Sequence, residues 1–304
     1  MSKDNGQMIH TRAWKPDVLL LLAAAIWGFA FTAQRAGMAH VGPFTFNGVR
    51  FLVGSAVLIP VLLVTRRQTT WPRPCQRTVI LGGILAGVAL FAASSCQQIG
   101  LVYTTAGKAG FITGLYVVIV PILGLFWRQR VGLATWGGAL LAAVGLYLLS
   151  VVETLTLSAG DALVLVGAFI WAGHVHLIGW LSARSNPVGL ACCQYLACAA
   201  LSLLAAILTE TITAPALLDA AIPILYAGGM SVGVAYTLQV VAQREAPPAH
   251  AAIILSLEAV FAAVGGWLVL GETLSLTGWL GCALMLLGMI LSQFSGREQL
   301  HTSR

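Results

Sequence analysis

The sequence predicts an all-α integral membrane protein, in which ten transmembrane helices form two inverted repeats of five helices each. Three observations predict this fold class: a very low content of charged residues, ten long apolar segments, and landmark residues that recur between the two halves. Of the 304 residues, 59% are hydrophobic and only 9% are charged, whereas a soluble domain carries about 25% charged residues. So few charges cannot cover a water-facing surface, which excludes a soluble enzyme, a disordered chain and a nucleic-acid-binding domain.

The apolar segments follow one another along the chain, and each is long enough to cross about 30 Å of hydrocarbon as a helix. Several begin at a proline, which fits the first helical turn because its missing N–H is not needed there. The first segment follows Lys15 in the manner of a signal peptide, but its match to a later segment favours a retained helix. The segments run near 18–36, 43–64, 78–99, 106–127, 132–152, 161–181, 188–208, 220–241, 249–270 and 276–294.

The positively charged residues predict how these helices are oriented, because cytoplasmic loops of membrane proteins are enriched in Lys and Arg. With a cytoplasmic N-terminus, the cytoplasmic tails and loops hold 13 of the 16 Lys and Arg residues. The opposite side holds Arg35 and Lys108, and Arg50 lies within the second segment. We therefore expect a multi-pass protein of the cell inner (plasma) membrane with both termini in the cytoplasm. The same distribution accounts for the net charge of +6 without a nucleic-acid partner.

Landmark residues of the first half recur in the second half at a nearly constant offset, here called the repeat offset. It is 144 for Trp27–Trp171 and Pro43–Pro187, 142 for Gln97–Gln239, and 143 for Trp136–Trp279 and Gly145–Gly288. Each repeat holds an odd number of segments, so the second repeat enters the membrane from the opposite side. Inverted repeats are typical of proteins that bind a substrate near the bilayer midplane and open to the two sides in turn. The predicted divisions are a cytoplasmic tail at 1–17, a first repeat at 18–152, a second repeat at 153–294 and a cytoplasmic tail at 295–304.

Three stretches of sequence carry a family resemblance. They are the region of Trp27–Gly28 with its echo at Trp171, the stretch 104–116 entering the fourth segment, and 256–263 with Gly271–Glu272 around the ninth. Over about residues 18–294, the chain resembles the EamA-type, ten-helix branch of the drug/metabolite transporter superfamily. The resemblance implies two EamA-like five-helix repeats that export or take up small metabolites, amino acids among them.

At one position the chain departs from this branch, which usually has a proline directly after the glutamate that Glu258 matches. The residue here is Ala259, so a proline kink in the ninth helix is not expected. In the fourth helix, Pro121 stands four residues beyond the position equivalent to Ala259. We therefore expect the two halves to bend differently.

Glu258 is the strongest single candidate for a functional residue, because ionisable groups at membrane depth are costly and usually functional. It stands ten residues into the ninth segment, which is about 15 Å deep at 1.5 Å per residue. We expect it to take up protons or to bind a cation, and structural pairing, with Arg50 for example, is the alternative. Its repeat equivalent is Tyr116, just as His250 is the equivalent of Lys108, and both pairs have the repeat offset found for Gln97 and Gln239.

These equivalent residues form two polar stripes. Lys108 and Tyr116 are eight residues apart, as are His250 and Glu258, so each pair shares a helix face, which the resemblance places beside the central cavity. Lys108 is interpreted as an anion-attracting group at the outer mouth, or alternatively as a solvated helix end. Arg50 is a candidate for substrate binding, with structural pairing or a snorkelling side chain as the alternative.

The remaining candidates are aromatic or uncharged polar residues that share helix faces. The aromatic ones form either a wall of the site or packing between helices. The polar ones make either uncharged substrate contacts or interhelical hydrogen bonds. These candidates are Trp27, Phe31, Gln97, Trp171, His174, Tyr236 and Gln239.

No motif in the sequence predicts a catalytic, metal or cofactor site, since HExxH, paired carboxylates, a nucleophile motif and an ATP-binding loop are all missing. The six cysteines form no CxxC pair and are interpreted as small core hydrophobes. His174 and His176 point about 200° apart on a helix, so they cannot chelate one metal together.

The sequence therefore predicts a secondary active transporter and not an enzyme. It would move a small metabolite, an amino acid or a related compound, by alternating access, with export as the leading direction. Its partners would be the small-molecule substrate, the lipid bilayer and protons as the coupling ion, with the chain a monomer or weak homodimer. An importer with the same fold is the first alternative, and a membrane enzyme acting on a lipid-linked substrate and a non-transporting scaffold are the others.

Overall fold

A computed structural model describes residues 14–68, 76–104, 106–129, 131–150, 158–270 and 275–302. Within these ranges the regular secondary structure is entirely helical, and ten apolar helices, α1 to α10, follow the predicted segments. A short helix, Ala214–Asp219, precedes α8. The ten are α1 (Lys15–Gly37), α2 (Pro43–Gln68), α3 (Gln76–Tyr103), α4 (Ala106–Gly114 and Tyr116–Phe126), α5 (Leu133–Ser150), α6 (Ala159–Ser182), α7 (Pro187–Thr209), α8 (Ala221–Leu225, Tyr226–Tyr236 and Thr237–Ala242), α9 (Pro248–Leu255 and Glu258–Leu270) and α10 (Leu276–Thr302).

Most of these helices have the length and composition of membrane spans. In the described part of the chain, seven are long and apolar enough to cross a bilayer, namely α1, α2, α3, α4, α6, α7 and α8. The apolar portions of α5, α9 and α10 are shorter, at Leu133–Leu149, Pro248–Val264 and Leu276–Ser292. Large apolar side chains such as Ile207 and Leu208 are more than two-thirds exposed, as expected for a surface that faces lipid. The chain is thus an all-helical, multi-pass membrane protein.

Polar caps mark the starts of two helices in the second half. Asn186 precedes Pro187 at the start of α7, and its side chain accepts a hydrogen bond from the Gly189 amide at 2.9 Å. At the start of α6, Ser158 and Asp161 form a reciprocal capping box. These bonds satisfy backbone N–H groups that the first helical turn leaves without partners.

Helices α5 and α10 cross at two pairs of glycines. A Cβ on Gly145 would lie 2.5 Å from the Gly281 carbonyl oxygen, and one on Gly138 would lie 2.6 Å from that of Gly288. Only glycine allows backbones to approach this closely. As the numbers rise along α5 they fall along α10, so the two helices run antiparallel. Gly138 and Gly281 are related by the same repeat offset as Gly145 and Gly288.

Helices α4 and α9 are each interrupted near the middle. In α4 the Leu115 amide donates to the Ile112 carbonyl at 3.2 Å, and in α9 the Leu257 amide donates to that of Ile254 at 3.1 Å. Both bonds span one residue fewer than the regular α-helical bond. Leu115 and Leu257 are related by the same repeat offset as Tyr116 and Glu258. The two halves are therefore interrupted at equivalent positions.

The interruption in α9 occurs although the chain has Ala259 where the family usually has proline. The expected difference in bending between the two halves remains a prediction. The proline that Ala259 replaces is not needed for the interruption in α9. There, the Ser256 hydroxyl donates to the Ile253 carbonyl at 2.8 Å, and a serine side chain that bonds back to its own helix often bends it. Pro121 lies within the second segment of α4, beyond the interruption.

Helix α8 contains a long π-helical stretch, Tyr226–Tyr236, between two short α-helical pieces. π-helical turns are rare and often lie at functional sites. The wider winding rotates the following side chains relative to an α-helix, and this stretch carries Ser231 and Tyr236 on its buried face. The position of both residues therefore depends on a winding that the hydrophobic pattern of α8 does not reveal.

Candidate functional site

A cavity lies between helices of the two halves of the chain. It offers about 50 Å³ of space to a water-sized molecule, much less than the roughly 300–1,000 Å³ usual for small-molecule sites, so it would have to widen to admit a substrate. Helices α1, α2, α3 and α4 contribute to it from the first half, and α6, α8 and α9 from the second. Its lining residues are Trp27, Ala30, Phe31, Gln34, Arg50, Gln97, Thr113, Tyr116, Trp171, Val175, Ser231, Tyr236, Gln239, Leu255 and Glu258.

The two interrupted helices meet at this cavity through their equivalent residues. Tyr116 is the first residue of the second segment of α4, and Glu258 is the first residue of the second segment of α9. The Tyr116 and Glu258 side chains both line the cavity and lie close enough to interact, and both are about 5% exposed. A single polar contact thus joins the two interruptions at the centre of the molecule.

Helix α1 packs directly against this centre. A Cβ on Gly28 would lie 2.8 Å from the Glu258 carbonyl oxygen and 2.7 Å from the Phe261 Cβ. Only a glycine leaves room for α9 at this distance, which explains why it follows Trp27 in the first helix. The close approach brings the Trp27 ring to the edge of the cavity.

Arg50 is a buried cation on α2, with only 3% of its surface exposed. Its guanidinium carbon lies 5.0 Å from the ring centre of Phe51 and 5.7 Å from that of Phe46. Among the described residues no carboxylate oxygen lies within 4.0 Å of it, and its Nε has no hydrogen-bond partner. A cation–π contact contributes about 0.5–2 kcal/mol, whereas burying an ion costs several kcal/mol. The two rings therefore offset only part of the cost.

Pairing of Glu258 with Arg50, the structural alternative for both residues, does not occur in this conformation. The side chain that lies beside Glu258 is that of Tyr116. The Tyr236 side chain on α8 interacts electrostatically with both charged groups. The cavity is thus lined by a carboxyl group and a guanidinium that are not paired with each other.

Aromatic rings form one wall of the cavity. The Tyr236 ring lies 4.6 Å from that of Trp27 and 5.8 Å from that of Trp171, the latter pair stacked at an interplanar angle of 20°. The Trp27 indole donates to the Ser231 carbonyl at 3.2 Å, and the Trp171 indole donates to the Gln97 side chain at 3.0 Å. Both indole N–H groups are therefore satisfied by the protein.

Several neutral polar groups complete the lining. Gln239 donates to the Gln243 side chain at 2.9 Å, and Gln243 in turn donates to the Val175 carbonyl at 3.0 Å. The Oε1 atoms of Gln34 and Gln239 and the hydroxyl of Thr113 are buried without a protein partner. Buried polar atoms are normally hydrogen-bonded, so these atoms are candidates for bonds to water or to a ligand.

The structure gathers nine of the predicted site residues around the cavity. These are Trp27, Phe31, Arg50, Gln97, Tyr116, Trp171, Tyr236, Gln239 and Glu258. Lys108 lies in α4, but its side chain falls outside the described residues. Within the described part of the chain no three His, Cys, Asp or Glu side chains are grouped as metal ligands.

Two predicted residues lie elsewhere. His174 Nε2 is 3.0 Å from Gln194 Oε1 on α7, and the residue of α6 that lines the cavity is Val175. His174 and Val175 follow Trp171 by three and four residues, and the rotation of α6 about its axis turns Val175 toward the cavity. His250 lies at the end of the molecule near the start of α1, where its Nε2 is 2.8 Å from Asp17 Oδ1 and its Nδ1 is 3.0 Å from the Ser292 hydroxyl.

Six lining residues are not among the predicted site residues. Gln34 shares a helix face with Trp27 and Phe31, and the repeat identifies two of the other five. Val175 is the repeat equivalent of Phe31, and Leu255 is the repeat equivalent of Thr113. Thr113 itself precedes Tyr116 by three residues and so shares its face. Ala30 and Ser231 carry no signal in the sequence, since the first is a small apolar residue and the second depends on the π-helical stretch of α8.

Comparison with known proteins gives the family. The sequence model of the EamA-like transporter family matches residues 14–151 and again 158–294. An "Uncharacterized transporter" of Archaeoglobus fulgidus is 34% identical over 293 residues, which cover 95% of this chain and 89% of that protein. The "Uncharacterized inner membrane transporter YedA" of Escherichia coli K12 is 26% identical, covering 88% of this chain and 86% of that protein.

A solved crystal structure has the same fold, with a TM-score of 0.74 at 21% identity, and the match covers 93% of this chain and 98% of that one. The two family matches together span nearly all of the described helices. This chain therefore belongs to the EamA-like transporter family.

Proposed function

We propose that this chain is a secondary active transporter that moves a small metabolite across the inner membrane by alternating access. The observation that carries the proposal is the cavity between the two halves, where the interrupted helices α4 and α9 meet at Tyr116 and Glu258. Interrupted helices that meet near the midplane are typical of substrate sites in transporters built from inverted repeats.

The inverted repeat itself is supported by contacts that come in equivalent pairs. Gly138 and Gly145 of α5 contact Gly288 and Gly281 of α10 in antiparallel order, and a two-fold axis in the membrane plane generates this pattern. The family model matches two consecutive ranges of similar length, which also supports two units with a division near residue 152. With both termini in the cytoplasm, the ten helices would satisfy the distribution of Lys and Arg.

Alternating access needs a contact that closes each end of the cavity. At the end where α1 begins, Asp17 binds His250 in the first turn of α9. Asp161 is the repeat equivalent of Asp17, and it binds the Thr104 hydroxyl next to the start of α4 at 2.5 Å. These two contacts involve equivalent helices at the two ends, and we propose that they open in turn.

Glu258 is our candidate for proton coupling. A carboxyl group changes its charge when it gains or loses a proton, and a cavity that opens to the two sides in turn gives it access to both. Its buried position beside the Tyr116 hydroxyl supports this role. Export of an amino acid or related compound is the leading direction, and import with the same fold remains the alternative.

A growth panel tests the function. Wild type, Glu258→Gln and the exposed-site control Glu245→Gln would be expressed in bacteria at matched membrane levels and challenged with toxic analogues of amino acids, amines and nucleobases. We expect selective resistance with wild type and the control, and its loss with Glu258→Gln. Increased sensitivity to one analogue would establish uptake instead of export. Identical growth on every analogue, together with no flux in proteoliposomes, would contradict transport.

A further inference from the structure

Resting on the proposed function, we infer that the transported molecule carries a carboxylate that binds Arg50, attached to a flat apolar body that lies along the Trp27–Tyr236–Trp171 wall. Arg50 would then select the charge of the substrate, and the aromatic wall would select its shape. Three features of the cavity support it: the unpaired cation, the character of the aromatic wall and the separate position of Glu258.

The buried positive charge of Arg50 favours the binding of an anion. A guanidinium keeps its proton in proteins, so this side chain is cationic in every state of the cavity. The described residues supply no carboxylate within 4.0 Å, and the nearby aromatic faces of Phe46 and Phe51 offer no hydrogen-bond acceptor in their planes. A buried cation in this condition calls for an anion from outside the protein.

The shape of the guanidinium favours a carboxylate. Its planar fork of N–H donors matches the two oxygens of a carboxylate, so that two parallel hydrogen bonds form at once. The Nε of Arg50 is buried without a partner. Gln97, the predicted polar candidate on α3, has its Oε1 already bound to the Trp171 indole. The fork thus keeps donors for a ligand that reaches it through the cavity.

The aromatic wall favours a flat apolar body. Because tryptophan has only one hydrogen-bond donor, the bonds from Trp27 to Ser231 and from Trp171 to Gln97 leave the two indoles with none. The free surface of these two indoles is therefore apolar ring, and the Tyr236 hydroxyl is the polar group of the wall. A flat apolar or aromatic group packs against such a surface, and a strongly hydrated group gains nothing from it.

Glu258 lies on α9 beside Tyr116, whereas Arg50 lies on α2 and forms no ion pair with Glu258. The two groups therefore act separately, with Arg50 binding the carboxylate and Glu258 left for the proton. An amine on the substrate is not required by this arrangement. The ligand test can accordingly separate the effect of a carboxylate from that of an amine.

Three compounds with the same indole ring provide that separation: L-tryptophan, indole-3-propionate and tryptamine. Binding of each would be measured by scintillation proximity with radiolabelled ligand on the purified full-length protein in nanodiscs. We expect L-tryptophan and indole-3-propionate to bind and tryptamine, which lacks the carboxylate, to bind at least about 30-fold more weakly.

Variants of Arg50 sharpen the test. Arg50→Gln should weaken both acids at least about 30-fold, and Arg50→Lys, which keeps the charge but loses the fork, should weaken them less. The ratio of acid to tryptamine affinity within each variant is the decisive quantity, because a folding defect would lower both together. Arg184→Gln, which removes an exposed arginine, should leave every affinity unchanged.

Three outcomes would overturn the inference: tryptamine binding as tightly as the acids, acids binding equally well to wild type and Arg50→Gln, or neither acid binding at all. The measurement needs no transport cycle. Identical growth on every analogue and no flux in proteoliposomes, with the expected ligand order intact, would therefore reject the proposed function and leave the inference standing. Resistance or flux without the expected ligand order would reject the inference alone.

Discussion

Helices α4 and α9 occupy equivalent places in the two halves and differ in their chemistry. Both are interrupted at equivalent residues, and both begin their second segment with a polar residue that faces the cavity. In α4 that residue is Tyr116, and in α9 it is Glu258. The interruption of the backbone is present in both halves, whereas a carboxyl group follows it in only one. We infer that the shared interruption builds the site and the difference supplies its chemistry.

The largest effect on transport is expected when the carboxyl group of Glu258 is replaced by an uncharged amide. Glu258→Gln should abolish the dependence of transport on a proton gradient in proteoliposomes while leaving downhill exchange. One proton moved per cycle against 100 mV is worth about 2.3 kcal/mol, so accumulation of substrate should fall about 50-fold. Substrate accumulation would be measured with and without an imposed gradient. An unchanged pH dependence in this variant would remove Glu258 from the coupling step.

Tyr116→Phe should have an intermediate effect, since it keeps the ring in α4 and removes the hydroxyl that would donate to the Glu258 carboxylate. A hydrogen bond to a group that carries charge contributes about 1.5–3 kcal/mol, so transport should fall about tenfold or more. The same substitution in a Glu258→Gln background should cost less, because residues in direct contact are not additive. Transport rates of the four proteins form the required cycle. Equal effects of Tyr116→Phe in both backgrounds would show that the two groups act independently.

The smallest effect is expected for Ala259→Pro, which restores the proline that the family usually has in α9. The Ala259 amide donates to the Ser256 carbonyl at 3.2 Å, and losing this bond costs about 1 kcal/mol. The position lies in the first turn of the second segment, where proline is tolerated. Val264→Pro, deeper in the same segment, should cost about 3 kcal/mol or more. Thermal unfolding in detergent would compare them, and equal losses would refute a preformed interruption at Ser256–Leu257.

The candidate site could be predicted in part, and the residues that were missed show where prediction fails. Glu258 was found because a carboxyl group in an apolar segment is rare, and Gln97 and Gln239 because they recur at the repeat offset. His174 and Val175 are both compatible with the face of Trp171, one by a step of three and the other by a step of four. Only the packing of α6 against α3 and α4 fixes which of them reaches the cavity.

The tertiary structure also decided the partners of the charged residues. From the sequence, Glu258 could pair with Arg50 or remain free, and His250 could line the cavity. In the structure Glu258 lies beside Tyr116, Arg50 has no carboxylate partner among the described residues, and His250 binds the sequence-distant Asp17. Each outcome depends on which helices become neighbours, and hydrophobic periodicity along one helix carries no information about that.

The sequence by itself determined that this is a multi-pass helical membrane protein, because 59% hydrophobic and 9% charged residues leave no other stable way to satisfy the backbone than helices buried in lipid. It also determined the places of the ten helices, since each needs a long uninterrupted apolar segment. Only the tertiary structure decided the interruption of α9 without a proline, the π-helical winding of α8 and the lack of a carboxylate partner for Arg50 among the described residues. These features arise from contacts between residues far apart in the chain, whose energies are set by the rotation and spacing of packed helices.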